Sequence, residues 1–149
     1  MGLDMYLFKK AKGEDFESCK RIAYWRKANQ VRQWIVENTN YPAKANCEYH
    51  KLSKQQIEKL IADCQKILKN NDNELAEKLM PTKGGQKIDL TSMIPAEATL
   101  LTPPVIDTFG STAYDNSYFA ELLNTVSMLK AALNATDFKK EEIYYYECW

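Results

Sequence analysis

The chain has 149 residues, and 20 Lys and Arg balance 20 Asp and Glu around a single His. A chain of this size buries roughly 68–70% of the surface that its unfolded form exposes, so one domain over residues 1–149 holds a core without staples. A hydrophobic content of 45% and a charged content of 27% are those of an ordinary globular chain, and neutrality excludes a disordered acidic protein and the wrapping of a long nucleic acid, which takes many phosphate contacts.

In chain order, Leu3, Met5 and Leu7 alternate with Asp4, Tyr6 and Phe8, which predicts a short strand over residues 3–9 with one buried face. A polar stretch over 10–20 reads as a loop. A helix is expected over roughly 20–38, where Tyr24, Ala28, Val31 and Ile35 fall within a narrow arc at 100° per residue. In that helix Trp25, Asn29 and Arg32 share one flank, with Arg21 beside Arg32. Asn38, Asn40 and Pro42 stop it.

Ser53 opens a second helix, and Gln56 three residues on completes a capping-box pattern. Ile57, Leu60, Ile61, Cys64, Ile67 and Leu68 then repeat at helical spacing. Residues 70–73 break this helix, and 74–80 add two further turns before Pro81. From 81 to 112 no period persists, and Gly84, Gly85, Pro95, Pro103 and Pro104 mark a long irregular insertion with small strands or a hairpin. A third helix spans roughly 115–134, capped by Asp115 or Asn116, with a stripe of Tyr118, Phe119, Leu122, Val126, Leu129 and Leu133. Residues 142–149 are rich in strand formers. They are expected to pair with the first strand, with Trp149 packed. The fold class expected is α+β: three main helices on a small sheet that joins the N- and C-terminal strands.

Neutrality hides an asymmetry. Residues 1–35 hold eight basic groups against four acidic ones, a net +4, which leaves 12 against 16, a net −4, over 36–149. All three arginines fall between positions 21 and 32. Such clustering makes an anion-facing patch on a neutral protein, or else a solvated helix face.

Asp4 stands where a signal peptide carries basic residues, no window approaches ~18 apolar residues, and Tyr6 stands where a myristoylation signal needs Ser or Thr. A cytoplasmic protein with no membrane partner is expected. Cys19, Cys47, Cys64 and Cys148 form no CxxC pair, and a disulfide framework normally accompanies secretion, so most are expected to be buried thiols.

Several segments together resemble an uncharacterised protein family of bacteriophages and prophages. They are the opening Met1-Gly2-Leu3-Asp4-Met5-Tyr6-Leu7, then Tyr24-Trp25-Arg26-Lys27-Ala28-Asn29, Trp34 and the Asn46-Cys47 pair. Leu79-Met80-Pro81-Thr82, Phe109-Gly110-Ser111-Thr112 with Tyr114-Asp115, and the aromatic tail ending on Trp149 complete the set. The chain departs from the pattern at Arg32, where relatives often place a His, and in about two dozen extra residues before Phe109. The resemblance implies a phage accessory gene in the host bacterial cytosol and supplies no catalytic residue.

The residues themselves point to binding rather than catalysis. His50 lacks the HxH, HxxxH or HExxH partners of a metal ligand and reads as a surface loop His. No GxSxG elbow exists, and Cys47 near His50 is an isolated pairing. No catalytic residue, metal or cofactor is therefore expected. Gly110, Ser111 and Thr112 precede a helix start, where free amides hold an anion or simply cap the helix.

The ligand-binding candidates are Arg21, Trp25, Asn29 and Arg32, with Ser111, Thr112 and Tyr114. Trp offers a stacking face, Asn a hydrogen-bonding edge and Arg a phosphate grip. The alternative has Trp25 covering the core edge while the arginines pair with Glu17 or Glu121, and Tyr24 and Trp34 packing the core. The expected partner is a small nucleotide-like anion or the acidic surface of a host protein, with counter-defence as the role. Two other readings stay open. One is a small enzyme on a nucleotide-like substrate, using Asp4, Asp115 or Tyr114. The other is a module that forms a homo-oligomer through exposed aromatics.

Overall fold

A computed structural model describes residues 2–68, 101 and 116–149. Within them the chain is an α+β fold, with strands β1 (Asp4–Ala11), β2 (Lys20–Arg26), β3 (His50–Leu52) and β4 (Glu141–Cys148). The helices are α1 (Asn29–Asn38), α2 (Lys54–Leu68) and α3 (Asn116–Asn134). The strand order is β2-β1-β4-β3, antiparallel throughout. The two terminal strands are therefore central neighbours, as their composition predicts, and Asp4 lies opposite Cys148.

Alternation gives the sheet its two faces. Leu3, Met5 and Leu7 are buried, as are Ile143 and Tyr145 of β4. They meet Ala23 and Trp25 of β2 and, from the helices, Val31, Trp34 and Ile35. Each such side chain contributes about 1.5–3 kcal/mol through the apolar surface it removes from water. The helix α2 packs on α3, and α3 packs on β2.

The stretch expected to be one helix over 20–38 is a strand, a turn and a shorter helix. Residues 20–26 pair along β1 instead. Lys27 turns the chain in the left-handed region at φ 55°, and its N–H donates to Leu3 O at 2.8 Å. The helical period resumes only from Ala28, through Val31 and Ile35, all buried. Tyr24, expected in the core, is 37% exposed, because alternation in a strand places it opposite Trp25. The expected loop shortens correspondingly, since β1 runs on to Ala11.

The capping box forms as read. Ser53 N donates to Gln56 Oε1 at 2.9 Å, and Gln56 N donates to Ser53 Oγ at 3.1 Å. All six stripe residues of α2 are buried. In α3, Tyr118, Phe119, Leu122 and Leu129 are buried, and Val126 and Leu133 pack partly against the core. The readings for 70–73, 74–80 and 81–112 fall outside the described residues, except Leu101, which is buried and accepts a hydrogen bond from Tyr118 Oη at 2.8 Å.

The cysteine reading needs correction. Cys47 and Cys148 form a disulfide across a sequence separation of 101, with Cα atoms 4.9 Å apart. Cys64 is a buried thiol, and Cys19 is partly exposed. Asn46 brackets the chain end beside the disulfide: Trp149 N donates to Asn46 Oδ1 at 2.9 Å, and Asn46 Nδ2 donates to Trp149 O at 2.7 Å. The Trp149 side chain is nevertheless exposed rather than packed. No described helix is long and apolar enough to cross a membrane.

Candidate ligand-binding face

With α1, α2 and α3 packed on one side of the sheet, the other side carries the side chains that alternate away from the core. On β1 these are Tyr6 and Phe8, and on β4 they are Tyr144 and Tyr146, in direct register with them: Tyr6 opposite Tyr146, Phe8 opposite Tyr144. Tyr24 of β2 sits opposite Tyr6. Tyr49, just before β3, and Phe16, from the short turn between β1 and β2, complete the layer.

The rings form one continuous chain across β2, β1 and β4 to Tyr49 at the entry to β3. Ring centroids lie 5.3 Å apart for Tyr24 and Tyr6, 6.2 Å for Tyr6 and Tyr146, and 4.7 Å for Tyr146 and Tyr49. Tyr49 stacks on Phe16 at 4.0 Å with the planes 13° apart. Offset and tilted pairs at such distances add to simple area burial and hold the rings in place. Tyr24, Tyr49 and Phe16 are each more than a third exposed.

The charges around this layer are unevenly satisfied. Near Phe16, Lys10 lies 5.3 Å from the centres of both the Phe16 and Tyr144 rings, and it shares Glu142 with Lys51. Hydrogen bonds from Tyr144 and Lys51 hold the Glu142 carboxyl down at about 2. At the opposite border, β2 is the edge strand; Arg21 and Arg26 stand on the aromatic side and hold no ion pair among the described residues, Arg26 facing Asp4 in the register, while Lys20 lies opposite Lys9 on the helix side. A β-bulge between Leu7 and Phe8 sets Arg21 opposite Phe8, on the aromatic side, where its guanidinium lies 5.7 Å from the Tyr24 ring centre. Burial and then Glu142 push Tyr144 up to about 12, and the hydrogen bond to Asp4, at 2.6 Å, raises Tyr24. A ring layer beside Arg21 and Arg26 accepts an anion that also has a flat face.

The residues singled out in the sequence do not come together. Trp25 is 2% exposed on the helix side, where its Nε1 donates to Thr125 Oγ1 at 2.9 Å. Asn29 is buried at the start of α1. Arg32 Nε donates to both oxygens of Glu147, at 3.1 and 2.9 Å, and Nη2 donates to Ala43 O at 2.7 Å. Its partner is thus Glu147 rather than Glu17 or Glu121. Only Arg21 reaches the aromatic face. The proposed helix flank is lost because Arg21 and Trp25 lie on strand β2, on its two opposite faces, while Asn29 and Arg32 lie on α1. Ser111, Thr112, Tyr114 and Asp115 lie outside the described residues.

His50 sits on β3 rather than in a loop, half-buried, with Nε2 2.8 Å from Thr39 O and its ring edge on Tyr41. Cys47 is not a thiol partner for it, being in the disulfide. Trp34 packs in the core as expected, and its Nε1 donates to the buried Asp63 at 2.8 Å. A cleft lined by Lys9, Lys10, Glu14, Ser18, Lys20 and Glu141 has a volume of about 210 Å³, below the roughly 300–1,000 Å³ of ordinary small-molecule sites. Among the described residues no group of three His, Cys, Asp or Glu is placed to hold a metal ion.

The aromatic layer was the feature missed in the sequence. Its signal was present in the positions that alternate with the core residues, Tyr6 and Phe8 in β1 and Tyr144 and Tyr146 in β4. Compared with protein-family models, curated proteins and solved structures, the chain matches none.

Proposed function

We propose that the protein is a phage or prophage accessory protein that acts by binding, with the open aromatic side of its sheet as the ligand surface and a nucleotide-like anion as the ligand. Sequestering a nucleotide signal in this way serves counter-defence without chemistry on the ligand. One observation carries the reading: a continuous layer of rings bordered by Arg21 and Arg26 of β2. Rings hold a base by its face and the cations hold its phosphate.

A thermal-shift screen of nucleotides, followed by mass spectrometry of the heat-released ligand, tests this. A ligand at a hundredfold excess over its Kd raises Tm by about 5–10 °C for a domain of this size and is recovered unchanged. Recovery of a converted product would establish the enzyme reading instead. No shift with any nucleotide would overturn the proposal.

A further inference from the structure

We infer that the occupant of this face is a short single-stranded segment of nucleic acid, with successive bases stacked across the strands, rather than one nucleotide; this rests on the binding function proposed above. The argument is one of size. A base covers about one ring. Here Tyr24, Tyr6, Tyr146 and Tyr49 belong to or border four successive strands, with centroid steps of 5.3, 6.2 and 4.7 Å. Neighbouring strands lie about 4.8 Å apart, so the layer extends about 14 Å from β2 to β3. A four-stranded sheet with aromatic side chains on its open face stacks two or three bases.

The charge pattern fits a backbone rather than a lone phosphate. Arg21 and Arg26 stand on the aromatic side of β2, towards its two ends, and no acidic side chain forms an ion pair with them among the described residues. A chain of phosphates running beside the rings meets them in turn. Two contacts are also few enough to agree with a protein of zero net charge. A long polyanion needs many more. A duplex is disfavoured because its base faces are already stacked and offer nothing to the rings.

The test is fluorescence anisotropy with labelled single-stranded RNA and DNA oligomers of about eight nucleotides, the same sequence as a duplex, and the corresponding mononucleotide. The oligomer in at least one sugar is expected to bind at least about tenfold more tightly than the mononucleotide, since each stacked base adds about a tenfold factor. Two phosphate contacts give a slope of log K against log salt of about −1.4. Tyr6→Ala should weaken binding about tenfold. Because that change could loosen the sheet, the exposed pair Arg21→Gln and Arg26→Gln provides a second measurement, expected to bring the slope close to zero. Lys130→Gln, on an exposed position of α3, should leave both unchanged.

A mononucleotide that binds as tightly as the oligomer would overturn this inference and leave the proposed function standing. Equal affinity for the duplex, or a slope unmoved by the paired Gln substitutions, would also overturn it. Absence of binding to oligomer and nucleotide alike would remove both.

Discussion

Arg32 Nε lies 2.9 Å from Glu147 Oε2, and the Glu147 carboxylate is completely buried. The pair joins α1 to the C-terminal end of β4, and its remaining acceptor capacity is used by Tyr145 Oη at 2.7 Å and Trp149 Nε1 at 3.3 Å. At the backbone of the same residue, Cys47 N donates to Glu147 O at 2.7 Å, and the disulfide closes over the same strand end. A buried charge held by this many donors tolerates the interior only while all of them are present.

Arg32→Met leaves that carboxylate buried without its cation. It is expected to cost about 3–5 kcal/mol in denaturant unfolding. The double change Arg32→Met with Glu147→Leu should recover a large part of the loss, because two apolar groups leave no orphaned charge. Nucleotide binding by the surviving folded fraction is expected to persist in both variants, since neither residue lies on the aromatic face.

The disulfide predicts a definite alkylation pattern. In the native, non-reduced protein, iodoacetamide should label Cys19 alone, because Cys64 is fully buried and burial pushes its thiol up. Denaturation without reductant should add Cys64, and reduction should add Cys47 and Cys148, each step read by intact mass. Cys148→Ser should lower stability by about 2–5 kcal/mol, given the long loop that the bridge closes.

Acid should remove a contribution from Glu142. Its carboxyl is lowered to about 2 by hydrogen bonds from Tyr144 and Lys51, against about 4.3 in an unfolded chain. The unfolded state therefore binds the proton first on acidification. The stabilisation is fully present above the ordinary carboxylate range and is lost as pH falls from about 4.3 through about 2. Glu142→Gln should be less stable than wild type at pH 7, and the two stability curves should converge at the acid end of that window.

Trp25 and Thr125 give the contrast between core and surface. Thr125 is fully buried, and Thr125→Val removes the acceptor of the Trp25 Nε1–H bond. The expected loss is about 1–3 kcal/mol, the cost of a buried unsatisfied donor. Ligand affinity should be unchanged at temperatures where the variant is folded. An affinity loss matching that of Tyr6→Ala would mean that the ligand reaches the helix side of the sheet.

By itself the sequence determined what depends on near neighbours along the chain. The alternation of Leu3, Met5 and Leu7, the Ser53–Gln56 box and the helical repeat from Ile57 to Leu68 are complete within one element, so their period names the element and its buried face. Tertiary structure decided residues 20–26. Tyr24 and Ala28 fit a helical spacing equally well, but a strand is stabilised by hydrogen bonds to a partner distant in sequence, and β1 supplied it. That one choice turned Trp25 into the core, Tyr24 outward and, through the bulge, Arg21 beside it. The Cys47–Cys148 bridge and the ring layer followed the same rule, since each joins residues that only sheet pairing brings within reach.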